Sequence, residues 1–142
     1  MIQVSHLLAE KGGQIHTIGP DEPVLAAIQL MADRVIGAVL VMTGDQLVGI
    51  VSERDYARKI ILNGRSSSGT PVRDIMTASV ITVNSTDTID TCMRLCTDSR
   101  VRHLPVVDDR KVVGVVSIGD LVKAVISEQG EQIEQLQRYI AG

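Results

Sequence analysis

The chain contains no tryptophan, no phenylalanine and only two tyrosines, Tyr56 and Tyr139. Without aromatic rings there is no platform for stacking exposed bases, which all but excludes a single-strand nucleic-acid binder. Neither sign of charge dominates: 14 Lys and Arg stand against 17 Asp and Glu, a net charge of −3. That balance gives no general pull toward nucleic acid or an anionic membrane. Cysteine is scarce as well. Cys92 and Cys96 lie four apart among helix-type residues, an awkward spacing for a disulfide and no secreted framework. Met1 to Gly13 lacks the apolar core of a signal peptide and contains Glu10 and Lys11. No apolar run approaches the roughly 20 residues of a membrane span. These absences point to a reducing cytoplasm, with neither nucleic acid nor membrane as partner.

Apolar residues make up 44% of the 142 positions and charged residues 22%. That suits one compact domain, or two small units sharing a core, rather than a disordered chain. The chain is in fact a repeat. A shift of 65 residues aligns Ile15–Ile61 with Val80–Ile126 without a gap, and ten of the 47 pairs are identical. The densest match sets Leu47–Asp55 (LVGIVSERD) against Val112–Asp120 (VVGVVSIGD). A shorter match precedes each copy, Val4–Leu8 against Val72–Met76.

Each copy carries the same pattern. A short strand (Ile15–Ile18; Val80–Val83) leads through a polar turn to a helix. In the helix the apolar residues fall at helical spacing: Val24, Ala27, Ile28 and Met31, then Ile89, Cys92, Met93 and Cys96. Two strands follow, Ala38–Met42 with Leu47–Val51 and His103–Val107 with Val112–Val116. Gly44-Asp45 and Asp109-Arg110 fill the turns between them. A second helix closes the copy (Glu53–Leu62; Ile118–Ser127). The polar run Asn63–Thr70 and the following Pro71 break the chain between copies. The expected division is 1–64 as the first repeat with its leading helix, 65–71 as linker, 72–128 as the second repeat and 129–142 as a tail. The fold class is α+β, two β-α-β-β-α units packed as a pseudo-two-fold pair.

Ser52 and Asp55 stand where an apolar strand gives way to a helix, and Ser117 and Asp120 repeat the arrangement. Ser at the N-cap with Asp three residues on is a capping pattern worth around 1 kcal/mol. Capping alone accounts for both copies without any ligand. The functional alternative adds that a carboxylate at such a turn can accept hydrogen bonds from a ribose diol, with phosphate drawn to nearby backbone N–H groups.

GIVSERD (49–55), GVVSIGD (114–120), RHLPVVDD (102–109) and VRDIMT (72–77) resemble the motifs of the cystathionine-β-synthase (CBS) domain pair, or Bateman module. The resemblance covers about residues 2–127, nearly the whole chain, and a stand-alone module of the family is expected. It implies regulation rather than catalysis, and reversible binding of AMP, ADP, ATP, NAD or NADH in clefts between the repeats. S-adenosylmethionine is placed after the nucleotides. Asp55 and Asp120 match the family's ribose-binding carboxylates, and Ser52 and Ser117 its phosphate-side hydroxyls. The resemblance would line one cleft with Ile15, Thr17 and Ile36–Val39, including Gly37, Ala38 and Val39. It would line the other with Val80, Thr82 and Val101–Pro105, including Arg102, His103, Leu104 and Pro105. Most of these aliphatic residues also read as ordinary strand core.

Phosphate needs positive charge. Arg54, inside the first S-x-x-D turn, is the best placed; Arg58, Lys59 and Lys123 read as a solvated helix face. Gly37-Ala38 leaves room where Arg102-His103 brings bulk and charge, so the two clefts are expected to differ in ligand or affinity. The three scattered histidines have no metal-site spacing, and Cys92 and Cys96 align with core-type Ala27 and Met31. In the tail, Ile133, Leu136 and Ile140 form a narrow apolar stripe that needs a partner, either its own module or a dimer mate. The resemblance likewise implies a homodimer, and regulation implies an unidentified protein effector. There is no G-x-x-x-x-G-K-[ST], G-x-S-x-G or nucleophile–base pair, so no catalytic residue or catalytic cofactor is expected. The competing reading is a ligand-independent interaction or oligomerisation module.

Overall fold

The structure is a computed structural model that describes residues 2–141. Met1 of the expected first segment and Gly142 of the expected tail lie outside the described residues. In chain order the elements are α1 (Val4–Lys11), β1 (Thr17–Ile18), α2 (Val24–Arg34), β2 (Ala38–Thr43), β3 (Gln46–Ser52) and α3 (Glu53–Tyr56). They continue as α4 (Ile89–Ser99), β4 (His103–Asp108), β5 (Lys111–Ser117) and α5 (Ile118–Ala141). The fold is α+β. It divides into two compact units, Gln14–Ile81 and the described parts of Met1–Gly13 with Thr82–Gly142.

In Gln14–Ile81 the sheet runs β1-β2-β3, with β1 parallel to β2 and β2 antiparallel to β3. Val39, Leu40 and Val41 are buried in succession, so both faces of β2 are covered. α2 turns Val24, Ala27 and Met31 inward, one stripe at helical spacing. The core joins these to Ile18, Val51, Ile60, Val72 and Ile75. α3 does not continue as the regular helix expected to Leu62; Ala57–Ile61 widens into a π turn.

The other unit repeats this plan with equivalent residues. Ile89, Cys92 and Cys96 are the buried stripe of α4, and Leu104, Val106, Val116 and Leu121 are buried from β4, β5 and α5. The same irregularities recur. The β2/β3 register shifts between Val41 and Met42, and the β4/β5 register between Val106 and Val107. Left-handed residues end both α2 (Val35) and α4 (Arg100). Asp109 and Arg110 both take positive φ in the tight β4–β5 turn, as a two-residue hairpin of the primed type requires.

Three sequence expectations are corrected. The expected strand Val80–Val83 is reduced to a single parallel bridge, Val83 to Val106, with Val83 N–H donating to Pro105 O at 3.0 Å. The tail is not a separate element, because α5 runs unbroken from Ile118 to Ala141 through Gly130. Most tellingly, each leading segment packs on the opposite repeat. α1 buries Val4 and Leu7 in the unit that holds the second repeat. The 3-10 turn Val72–Asp74 and the residues after it complete the first, where Val72 and Ile75 are both fully buried.

Two glycines make these docks. A Cβ at Gly114 would stand 2.6 Å from Leu8 Cδ2, and one at Gly49 2.5 Å from Met76 Sδ. Only a bare backbone admits the incoming side chain.

Candidate functional site

Each unit presents an S-x-x-D turn where its last strand meets a helix. In the first, Ser52 N–H donates to Asp55 Oδ2 at 3.0 Å, and Asp55 N–H donates back to Ser52 Oγ at 3.2 Å. In the second, Ser117 N–H donates to Asp120 Oδ2 at 2.9 Å, and Asp120 N–H donates to Ser117 Oγ at 3.1 Å. The reciprocal capping box expected from sequence is thus present at both turns. It holds each carboxylate in one orientation at the end of the sheet.

The neighbouring loop is fixed by the same device in each unit. Glu53 N–H donates to Gly37 O at 3.1 Å, and Ile118 N–H donates to Arg102 O at 2.8 Å. Ala38 pairs with Ser52 across β2/β3, and His103 with Ser117 across β4/β5. β1 lies on the far side of β2, with Thr17 opposite Leu40. In Gln14–Ile81 the structure therefore gathers Gly37, Ala38, Ser52, Arg54 and Asp55 at one sheet end. Thr17 comes from the adjoining strand β1, and Ile15, expected in that strand, lies in the segment just before it.

In the other unit Arg102, His103, Ser117 and Asp120 assemble in the equivalent way, and Thr82 precedes the Val83 bridge. Val80 falls in Gln14–Ile81 instead. Val39, Leu104 and Pro105 are buried and serve as core, whereas Ile15, Gly37, Ala38 and His103 are half-buried.

Each Asp is matched by a lysine, drawn from different places. Lys59 Nζ sits 3.2 Å from Asp55 Oδ1 and donates to Ile75 O at 2.8 Å. It is therefore engaged, not a purely solvated residue of the helix face. Its spacing, i to i+4 from Asp55, is a pairing that sequence alone can suggest. The equivalent position in the second copy is Ala124. There the ammonium comes from α1: Lys11 Nζ lies 2.6 Å from Asp120 Oδ2 and 2.8 Å from Val115 O. No sequence signal links residues 109 apart. Arg65, just after the first repeat's closing helix, pairs with Asp74 at 3.1 Å.

Burial alone would raise the Asp120 carboxyl. The hydrogen bond from Lys11, the Ser117 N–H, the Lys11 charge and the Ser117 hydroxyl outweigh it and hold Asp120 below the usual carboxylate range. A depressed carboxyl stabilises the fold above its unfolded value and loses that contribution as pH falls through the folded one. Lys11→Met is therefore expected to cost about 0.5 kcal/mol at pH 7, a partly exposed pair's worth. The deficit should shrink as the solution is acidified below the ordinary 3.8 and disappear below the lower folded value. Urea unfolding of both proteins at pH 7 and pH 3 reads this.

Cys92 and Cys96 are free and buried. Burial, then the Asp87 charge, then Cys96 push the Cys92 thiol up to about 11, which makes it unreactive at neutral pH. Among the described residues no cluster of His, Cys, Asp and Glu could hold a metal ion, and no helix is long and apolar enough to cross a membrane.

Two α+β units, each ending a strand in a capped S-x-x-D turn, are the architecture of a CBS domain pair. The CBS domain model matches residues 11–62 and 72–127, and the chain belongs to that family. It is 46% identical over 127 residues to the CBS domain-containing protein CBSX3, mitochondrial, of Arabidopsis thaliana. That match takes in 86% of this chain and 62% of the relative, so the chain spans less than two thirds of that protein. A solved structure of a protein with CBS domains from Burkholderia ambifaria MC40-6 is 49% identical, with TM-score 0.87, over 90% of this chain and 96% of that one. At 23% identity and TM-score 0.79, over 90% of this chain and 98% of the other, the fold is that of the CBS domain pair of protein MJ0100. That pair was solved in complex with 5-methylthioadenosine and S-adenosyl-L-methionine.

Proposed function

We propose that this chain is a regulatory module that binds adenosine-containing ligands, AMP, ADP, ATP, NAD or NADH, at its two S-x-x-D turns. Occupancy would shift a conformational or assembly equilibrium that a protein effector reads, without catalysis. The observation that carries the reading is the duplicated turn. Two carboxylates, Asp55 and Asp120, are held rigidly at sheet ends beside small or half-buried residues, a placement suited to accepting a ribose diol. The ligands of the MJ0100 pair, both adenosine derivatives, support adenosine as the common element. Arg54 in one unit and Arg102 in the other supply the charge for phosphate, with His103 beside Arg102. Free, buried thiols suit a reducing cytoplasm.

The two turns are not equivalent. Asp55 faces a lysine of its own helix, and Asp120 a lysine of α1. Gly37-Ala38 leaves space where Arg102-His103 does not. The ligand, or its affinity, therefore differs between them.

A second reading, a ligand-independent interaction module, draws on the capping boxes, which are complete without any ligand. Thermal unfolding separates the two. A ligand at 100 times its dissociation constant adds about 2.7 kcal/mol, so millimolar AMP, ATP or NAD should raise the midpoint by several degrees. An unchanged midpoint with every ligand would favour the interaction module.

A further inference from the structure

We propose, on the reading of the two S-x-x-D turns as ribose sites, that Lys11 and Lys59 are latches that a bound ribose displaces. Each lysine ties the carboxylate of its turn to the leading segment docked in the same unit. Lys11 belongs to α1, and its Nζ bonds Asp120 Oδ2 at 2.6 Å and Val115 O at 2.8 Å. Lys59 follows the other turn, and its Nζ reaches Asp55 Oδ1 at 3.2 Å and Ile75 O, in the leading segment, at 2.8 Å. The two lysines are not repeat partners. Lys59 aligns with Ala124, and Lys11 falls opposite Ser79 when Val4–Leu8 is set on Val72–Met76. The same link is thus built twice, from different parts of the chain. Capping does not require it, because the Ser–Asp bonds complete each turn without a lysine.

Competition with ribose follows from the acceptor sites. A carboxylate oxygen takes about two hydrogen bonds. The Ser52 N–H and hydroxyl fill Asp55 Oδ2, so both hydroxyls of a diol must use Oδ1, where Lys59 sits. Lys11 and the Ser117 N–H fill Asp120 Oδ2, so a diol spread over both oxygens must take the place of Lys11. The backbone N–H is fixed in its capping box. The lysine, on a flexible and partly exposed stem, is the partner that can leave.

Displacement loosens the leading segment. Val4 and Leu7 stay buried, but α1 loses the lysine tether at its C-terminal end; Val72–Met76 loses the bond at Ile75 O. Both segments lead, within a few residues, to a point where the chain passes from one unit to the other, Gly13 to Gln14 and Ile81 to Thr82. Gly12, at φ 92°, gives the first of these the freedom to move. Ribose occupancy is thereby passed along the chain to each crossing.

Calorimetric titration of wild type, Lys11→Met and Lys59→Met with adenosine and with AMP tests this, and hydrogen exchange of the wild type gives a second reading. Adenosine carries the ribose without phosphate, so its affinity does not register the loss of a phosphate contact. Each variant is expected to bind adenosine about two- to fivefold tighter, the worth of a partly exposed ion pair. In the wild type, saturating adenosine is expected to slow exchange at the amides of Ser52 and Ser117 and to speed it at Gly12, Ile75 and Met76. Unchanged or weaker adenosine binding in a variant would overturn the latch at that turn, and weaker AMP binding with unchanged adenosine would make its lysine a phosphate contact instead. Exchange at Gly12, Ile75 and Met76 that stays the same or slows would overturn release of the segments. No binding of either ligand by wild type or variants would remove the ribose reading itself, and the latches with it.

Discussion

Alanine in place of Gly49 is expected to cost about 2–3 kcal/mol of stability, the range of an overpacked core. The new methyl would lie 2.5 Å from Met76 Sδ, 2.9 Å from its Cγ and 3.1 Å from Thr77 O. The sulfur can swing aside. The Thr77 carbonyl cannot, because Ile50 N–H donates to it at 3.0 Å and Thr77 N–H donates back to Ile50 O at 2.8 Å. To admit the methyl, the segment that carries the fully buried Val72 and Ile75 would have to leave the sheet.

Urea unfolding measures the loss. Adding Met76→Ala should return part of it, as a double-mutant cycle detects. Gly119→Ala, whose Cβ would meet only Ser117 Oγ at 3.6 Å, should change little through packing. Gly114→Ala should be milder than Gly49→Ala, since the clash is with the flexible end of Leu8. A Gly49→Ala protein within 0.5 kcal/mol of wild type would mean that the docking of Val72–Thr77 is not held by this contact.

Asp55→Ala and Asp120→Ala are expected to remove different binding events. A ribose diol makes two hydrogen bonds to an ionised carboxylate, each worth about 1.5–3 kcal/mol. Loss of both weakens the ligand of that turn by at least about 100-fold. Each change also deletes half of a capping box, about 1 kcal/mol of stability. Asp55→Asn and Asp120→Asn keep an oxygen for the Ser52 or Ser117 N–H while removing the charge, and separate the two effects. Calorimetric titration of each variant reads affinity, and its melt reads the cap. A shared loss of every ligand in both single variants would contradict two separate sites.

Much of this architecture was legible in the chain because the repeat exposes it. Positions that match across the 65-residue shift are core in both copies: Val24 with Ile89, Ala27 with Cys92, Val51 with Val116. The S-x-x-D caps were equally readable, being local and built from residues three apart. What escaped were pairings set by tertiary packing. Val4–Leu8 precedes the first copy and matches Val72–Met76, which suggests that each segment serves the repeat that follows it. The slots at Gly49 and Gly114 accept the other segment instead, and no local signal distinguishes the two choices. Lys11 reaches Asp120 only as a consequence of that docking.

Burial of Val39, Leu104 and Pro105 shows a further limit. Alternation along a strand does not say which residues open toward a ligand once both faces are covered. The sequence divides the second closing helix from the tail near Ser127, whereas α5 runs through Gly130 to Ala141; a single glycine costs a helix only about 1 kcal/mol.

The most direct test of ligand binding at the two turns is an amide-resolved NMR titration of nucleotide-stripped full chain with AMP and then NAD. The account predicts saturable shifts centred on the amides of Ser52, Arg54 and Asp55 and of Ser117 and Asp120, with different midpoints at the two turns. Spectra unchanged at both turns up to millimolar ligand would contradict it.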